Sequence, residues 1–211
     1  MIALLLTAGM AGAALADDVL ACGSSALTAL DPARAVAACL RLAEQGQAWA
    51  AYNLAVVYSS DSYVRAFGAK SNAEIAAWYK KAAEQGLALA QAELGEIYLT
   101  GRGLPKNDAE SIKWSRKAAE QGVISAQMDV GTAYSTGWAG YPKDDVQAYF
   151  WLYLAESRSA SIAASHPSSE IADTTAGLAQ EALDLVAKQM TPDQIVEAKR
   201  LAAQWKPQTN P

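Results

Sequence analysis

The sequence predicts an all-α fold, a solenoid of stacked helix pairs, on three observations. The phrase Ala-Glu-Gln-Gly occurs at 43–46, 83–86 and 119–122, its glycines 40 and 36 residues apart. The register holds beyond the phrase. The fourth residue after each glycine is Ala50, Ala90 or Ala126, the eighth Leu54, Leu94 or Val130, and the twelfth Tyr58, Tyr98 or Tyr134. A tryptophan then follows, at Trp78, Trp114 and Trp151, with alanine four residues on at Ala82, Ala118 and Ala155. A period in the mid-thirties with helical patterning throughout is what repeated helix pairs write into a chain.

Taken in order, Ile2 to Ala16 is an uncharged apolar and small-residue run ending Ala14-Leu15-Ala16, just before Asp17-Asp18. This is the pattern of a secretory signal peptide over residues 1–16, although no Lys or Arg precedes it. The run is short for a membrane span, and nothing later is apolar for long enough. Cleavage would leave 195 residues, one domain with a useful core, at a net charge of -5. An acidic, unclustered balance argues against nucleic-acid or anionic-membrane binding, both of which need a basic face. The protein is expected to lie beyond the inner membrane, in a periplasm.

Cys22 and Cys39 are the only cysteines. In an oxidising compartment they can form a disulfide. Closing that 17-residue separation stabilises by on the order of 3 kcal/mol in the loop-entropy estimate and pins the N-terminal capping segment, 17–46, to the first helix. The rival is lipidation of Cys22, since Val19-Leu20-Ala21-Cys22 resembles a lipobox; Asp17 and Asp18, between the apolar run and the cysteine, speak against it.

From Asp31 to Gln45 the chain reads as a helix, with Pro32 in its first turn and Gly46 as its left-handed stop. Three repeats over 47–157 then each give a first helix, near 48–59, 88–100 and 124–136, and a second, near 72–84, 108–120 and 145–157. Asn72, Asp108 and Asp145, six residues before each tryptophan, are placed to cap the second helices. Gly95 and Gly131, with Ala55 in the equivalent place, let a neighbouring helix approach closely. Residues 158–176, rich in Ser and Ala and holding His166-Pro167, read as a loop. A capping pair follows over 177–205. Its second helix opens with Thr191-Pro192-Asp193-Gln194, a capping-box spelling, and carries Ile195, Ala198, Leu201, Ala202 and Trp205 on one face. Residues 206–211 read as a tail.

The middle unit spells Ala90-Gln91, Leu94-Gly95, Tyr98, Gly101-Arg102-Gly103, Trp114 and Lys117-Ala118-Ala119. This resembles the Sel1-like repeat family, related to tetratricopeptide repeats, over roughly residues 33–157. The resemblance implies a right-handed α-solenoid with capping helices at both ends. It also implies roles in binding other proteins, as adaptor, regulator or inhibitor, including immunity proteins that neutralise envelope-targeted toxins. The first unit departs from the pattern with Ala51, Ala55 and a lengthened loop at 59–72. The cysteine-rich relatives linked to β-lactams carry a cysteine pair in every repeat, and residues 46–155 here contain no cysteine, so that activity is not carried over.

Little chemistry is on offer. One histidine, His166, excludes a three-histidine metal site, and there is no G-x-S-x-G, S-x-x-K, phosphate loop or C-x-x-C. No catalytic residue, metal or cofactor is assigned. What remains is a surface. First helices of such solenoids commonly line a concave face, and the third, seventh and tenth residues after each glycine are the candidates. They are Trp49, Asn53 and Val56; Leu89, Glu93 and Glu96; Ser125, Asp129 and Thr132. Trp49 is the expected anchor, because tryptophan dominates interface energetics, unless it packs on the preceding helix instead. Trp138 and Tyr141 in the third loop are second candidates, as are Tyr63 and Phe67 in the first. The expectation is a protein-binding chain, monomeric on its own. Two alternatives are a hydrolase of cell-wall or β-lactam substrates working through Glu93, Glu96 and Asp129, and a structural module of an envelope assembly.

Overall fold

The computed structural model describes residues 16–23, 32–165 and 170–208. Most of the expected signal segment, His166 and the last three residues of the tail lie outside the described residues. Helices alone make up the described secondary structure: α1 (16–22), α2 (Pro32–Glu44), α3 (Ala48–Ser59), α4 (Asp61–Phe67), α5 (Asn72–Glu84), α6 (Ala88–Thr100), α7 (Asp108–Glu120), α8 (Ile124–Thr136), α9 (Asp145–Ser165), α10 (Glu170–Ala187) and α11 (Pro192–Gln204). The three expected first helices are α3, α6 and α8, and the second helices are α5, α7 and α9. The chain forms two compact units, one of Met1–Ala90 with Gly101–Pro105, the other of Gln91–Thr100 with Lys106–Pro211.

The repeated Ala-Glu-Gln-Gly is a helix stop. Gly46, Gly86 and Gly122 have φ of +86°, +91° and +89°, which side chains rarely tolerate. The next residue folds back, so that the N–H of Gln47, Leu87 or Val123 donates to the carbonyl of Leu42, Ala82 or Ala118. That closes the last turn by the 6→1 bond of a Schellman motif.

The second helices are capped one residue earlier than expected. Ser71, Asn107 and Asp144 are the capping residues, accepting from the N–H groups of Glu74, Glu110 and Gln147, while Asn72, Asp108 and Asp145 occupy the first helical position. The preceding residue wins because only the residue before the first turn has the extended backbone that aims its oxygen at the open donors. In the second unit Asn107 and Asp144 are held again, through N–H bonds to the carbonyls of Tyr98 and Tyr134 at 2.9 and 3.0 Å.

Two further expectations are corrected. The lengthened first loop contains α4: Ser60 caps it, Gly68 ends it at φ +81°, and Tyr63 packs between Tyr58 and Phe67 with centroids 5.1 and 5.2 Å away. The expected loop at 158–176 is helical on both sides, α9 continuing to Ser165 and α10 starting at Glu170. At the place where Gly122 stops α7, α9 carries Ser159, so nothing supplies a left-handed exit and the alanine-rich run stays helical.

In the second unit the core is Ile112, Val130, Tyr134, Phe150, Trp151, Leu152, Leu183 and Val186, with the alanines between them. Gly95 and Gly131 make the close approaches expected of them. A Cβ on Gly95 would lie 2.6 Å from Ser115 Oγ, and one on Gly131 2.7 Å from Leu152 Cγ. On α11, Ala198 and Ala202 are buried, and Ile195, Leu201 and Trp205 pack against the same core. Thr191 and Gln194 form the capping box.

Candidate partner-binding face

In the first unit, Trp49 and Val56 on α3 are half-buried, and Leu89 at the start of α6 is 51% exposed. Asn53 is already engaged: its Nδ2 donates to the carbonyl of Cys22 at 2.7 Å. Cys22 and Cys39 are joined in a disulfide, which ties α1 to α2 and leaves that sulfur no valence for a lipid thioether. Tyr63 is half-buried within the α4 aromatic row, while Phe67 is 56% exposed.

In the second unit the candidates cluster on α6 and α8. Glu96, Ser125, Asp129 and Thr132 are exposed and Glu93 is half-buried. Asp129 is open to solvent as a residue, yet protein atoms crowd its carboxylate. Oδ2 accepts from Ser115 Oγ at 3.2 Å. That crowding is the main force on the group and raises its pKa above the ordinary aspartate value; the Ser115 bond opposes it and the Glu96 carboxylate adds to it. Two carboxylates from first helices of successive repeats thus repel one another at the surface.

Trp138 and Tyr141 serve differently. Both are half-buried against the second unit's core. The Tyr141 ring meets Tyr134 edge-on at 4.7 Å, and Arg116 donates to the Tyr134 hydroxyl at 2.9 Å and to Glu120 at 3.0 Å. Their contacts are those of a packed loop. Ser115 was not singled out by sequence reasoning. Its only signal was being the small residue after Trp114, opposite Gly95.

Among the described residues, no group of three His, Cys, Asp or Glu is placed to hold a metal ion, and no helix is long and apolar enough to cross a membrane.

With helix pairs closed by the same glycine stop, capped at the same register and packed through the same small residues, the chain is an α-helical repeat protein. It belongs to the Sel1 repeat family: the Sel1 repeat profile matches residues 50–87, 88–123 and 124–158. Proteins of this family generally mediate protein–protein interactions and are typically non-enzymatic scaffolds. Among solved structures, it is similar to c5321, a protective antigen present in uropathogenic Escherichia coli strains displaying an SLR fold. The match has 28% identity and a TM-score of 0.64 over 89% of this chain. This chain spans 36% of that antigen's length. It is also similar to a Sel1 repeat protein from Oxalobacter formigenes, at 33% identity and a TM-score of 0.50, covering 57% of this chain and 88% of that one. No curated protein matches it.

Proposed function

We propose that the chain is a secreted, periplasmic scaffold that binds another protein as adaptor, regulator or inhibitor, an immunity protein against an envelope-targeted toxin being one such role. The observation that carries this reading is the Asp129–Glu96 pair on α8 and α6: two surface residues, Asp129 with its carboxylate crowded by protein atoms, which chiefly raises its pKa, and Glu96 adding repulsion to that. A Lys or Arg from a partner would relieve that repulsion and hold both in the charged form. Ser125 and Thr132, exposed on α8 on either side of Asp129 in sequence, supply uncharged contact area. Recognition of this kind is steric and electrostatic and breaks no covalent bond. The disulfide supports an oxidising compartment, and the small-x-small end of the apolar N-terminal run supports export.

The test is affinity purification of the tagged protein from the envelope of its host, beside a Glu96→Ala, Asp129→Ala chain. A stoichiometric protein lost from the variant is the expected result; one retained equally by both chains overturns the face assignment. The hydrolase reading draws on the same carboxylate pair, since a raised aspartate pKa suits a general acid. Turnover of peptidoglycan or a β-lactam by the purified chain, lost in the same variant, would favour it instead.

A further inference from the structure

The seventh residue after each motif glycine is Asn53, Glu93 or Asp129. In α8 that position is Asp129, which accepts from Ser115 on the second helix of the preceding repeat, whereas in α3 it is taken by a segment from outside the repeats. Asn53 Nδ2 donates to the carbonyl of Cys22, in the last turn of α1, where carbonyls lack intrahelical donors and the helix carries its negative end. Two further tethers hold α1. Asp18 pairs with Arg41 of α2, Arg41 Nε reaching Oδ2 at 2.8 Å, and Cys22 is bonded to Cys39 of α2. Apolar packing contributes little, since Leu20 is 71% and Val19 43% exposed, and only Cys22 of α1 is fully buried. A segment that leaves its leucine in solvent while Asp18 and Cys22 fasten it by polar and covalent ties behaves as a docked ligand rather than a core helix.

We infer that α1 is a built-in ligand of the first repeat: it covers the α3 position that corresponds in register to Asp129, ending its helix on Asn53, and the disulfide keeps it there. An outside partner's footprint then excludes Asn53. The chemistry this repeat recognises is the carbonyl end of a helix with an acidic residue one turn earlier. This rests on reading the first-helix positions as a recognition face, but its test needs no outside partner.

In the full chain carrying Cys22→Ser and Asp18→Ala, Cys39 is the sole thiol and α1 loses two tethers. The probe is a synthetic peptide of residues 17–23, supplied as its mixed disulfide with glutathione in a glutathione buffer. The Cys39 thiolate attacks the peptide sulfur, forming the protein–peptide disulfide, and glutathione leaves as its thiolate. We expect capture at least tenfold above that of a scrambled peptide of the same composition, and a several-fold fall when Asn53→Ala is added. Equal capture of the scrambled peptide, or indifference to Asn53→Ala, overturns the proposal. Hydrogen exchange on the same chain should show residues 16–22 unprotected while 32–59 keep their protection. Loss of protection throughout 32–59 would make α1 part of the fold and overturns the proposal as well. Failure here leaves the acidic face of α6 and α8 standing, and failure of the envelope purification leaves this test untouched.

Discussion

Trp205 meets Trp151 edge-on, their ring centroids 6.4 Å apart. The first two repeat tryptophans are covered differently, by the lysine three residues on: Lys81 lies over Trp78 at 5.1 Å and Lys117 over Trp114 at 4.3 Å. The corresponding residue after Trp151 is Leu154, so the last repeat takes its cover from the C-terminal helix instead. Trp205→Ala should therefore cost roughly 2 kcal/mol, less than a fully buried tryptophan, and Trp205→Phe much less. Urea unfolding followed by circular dichroism measures both. A loss under about 0.5 kcal/mol for the alanine variant would mean α11 does not close this unit.

The two glycines expected to admit a neighbouring helix can be told from one that does not. Gly131→Ala would drive a methyl group to 2.7 Å from Leu152 Cγ and 3.2 Å from the Ala148 carbonyl, and should destabilise by about 1–3 kcal/mol. Gly177, exposed in α10, has nothing within 4 Å of an added Cβ. There, alanine should stabilise by up to about 1 kcal/mol through helix propensity alone. Thermal melts of the pair should move in opposite directions.

Asp129 gives a pH signature. Its folded pKa is raised, so the native state holds a proton that the unfolded chain has lost, and stability falls as pH rises from the ordinary aspartate value through the folded one. Asp129→Asn removes that penalty. The variant should match or exceed the wild type in melting temperature at neutral pH, and the advantage should vanish in acid below the ordinary aspartate range. An advantage that grows on acidification would contradict the assignment.

The third-repeat loop holds Ala139 at φ +56° and ψ 29°, the left-handed conformation, between Trp138 and Gly140. For alanine this costs about 1 kcal/mol. Ala139→Gly should recover part of it, by up to about 1 kcal/mol less the added freedom of the unfolded chain, read as a raised urea midpoint at unchanged slope.

The fold was legible because its period is written in residues that tolerate few substitutes. A left-handed stop calls for Gly46, Gly86 and Gly122, and close helix approach for a small residue, Gly95 and Gly131 with Ala55 in the first repeat. The caps were displaced by one residue because Asn72, Asp108 and Asp145 are as polar as the true caps, and composition does not separate adjacent oxygens. The run after Ala155 misled for a related reason: serines weigh toward a loop, but without a glycine the chain had no exit from α9. Site residues were harder to read. Asn53 looks identical in sequence register to Glu93 and Asp129, and its engagement depends on a carbonyl 31 residues away. Tyr141 reads as an exposed loop aromatic until Tyr134 is placed against it.

The central claim is that a partner binds the first helices through Glu96 and Asp129. Hydrogen exchange of the full chain with and without the protein that co-purifies with it tests this most directly. The account predicts slowed exchange within 91–100 and 124–136, with α7 and α11 unchanged. Protection confined to 108–120 or 192–204, with 91–100 and 124–136 unaffected, would contradict it.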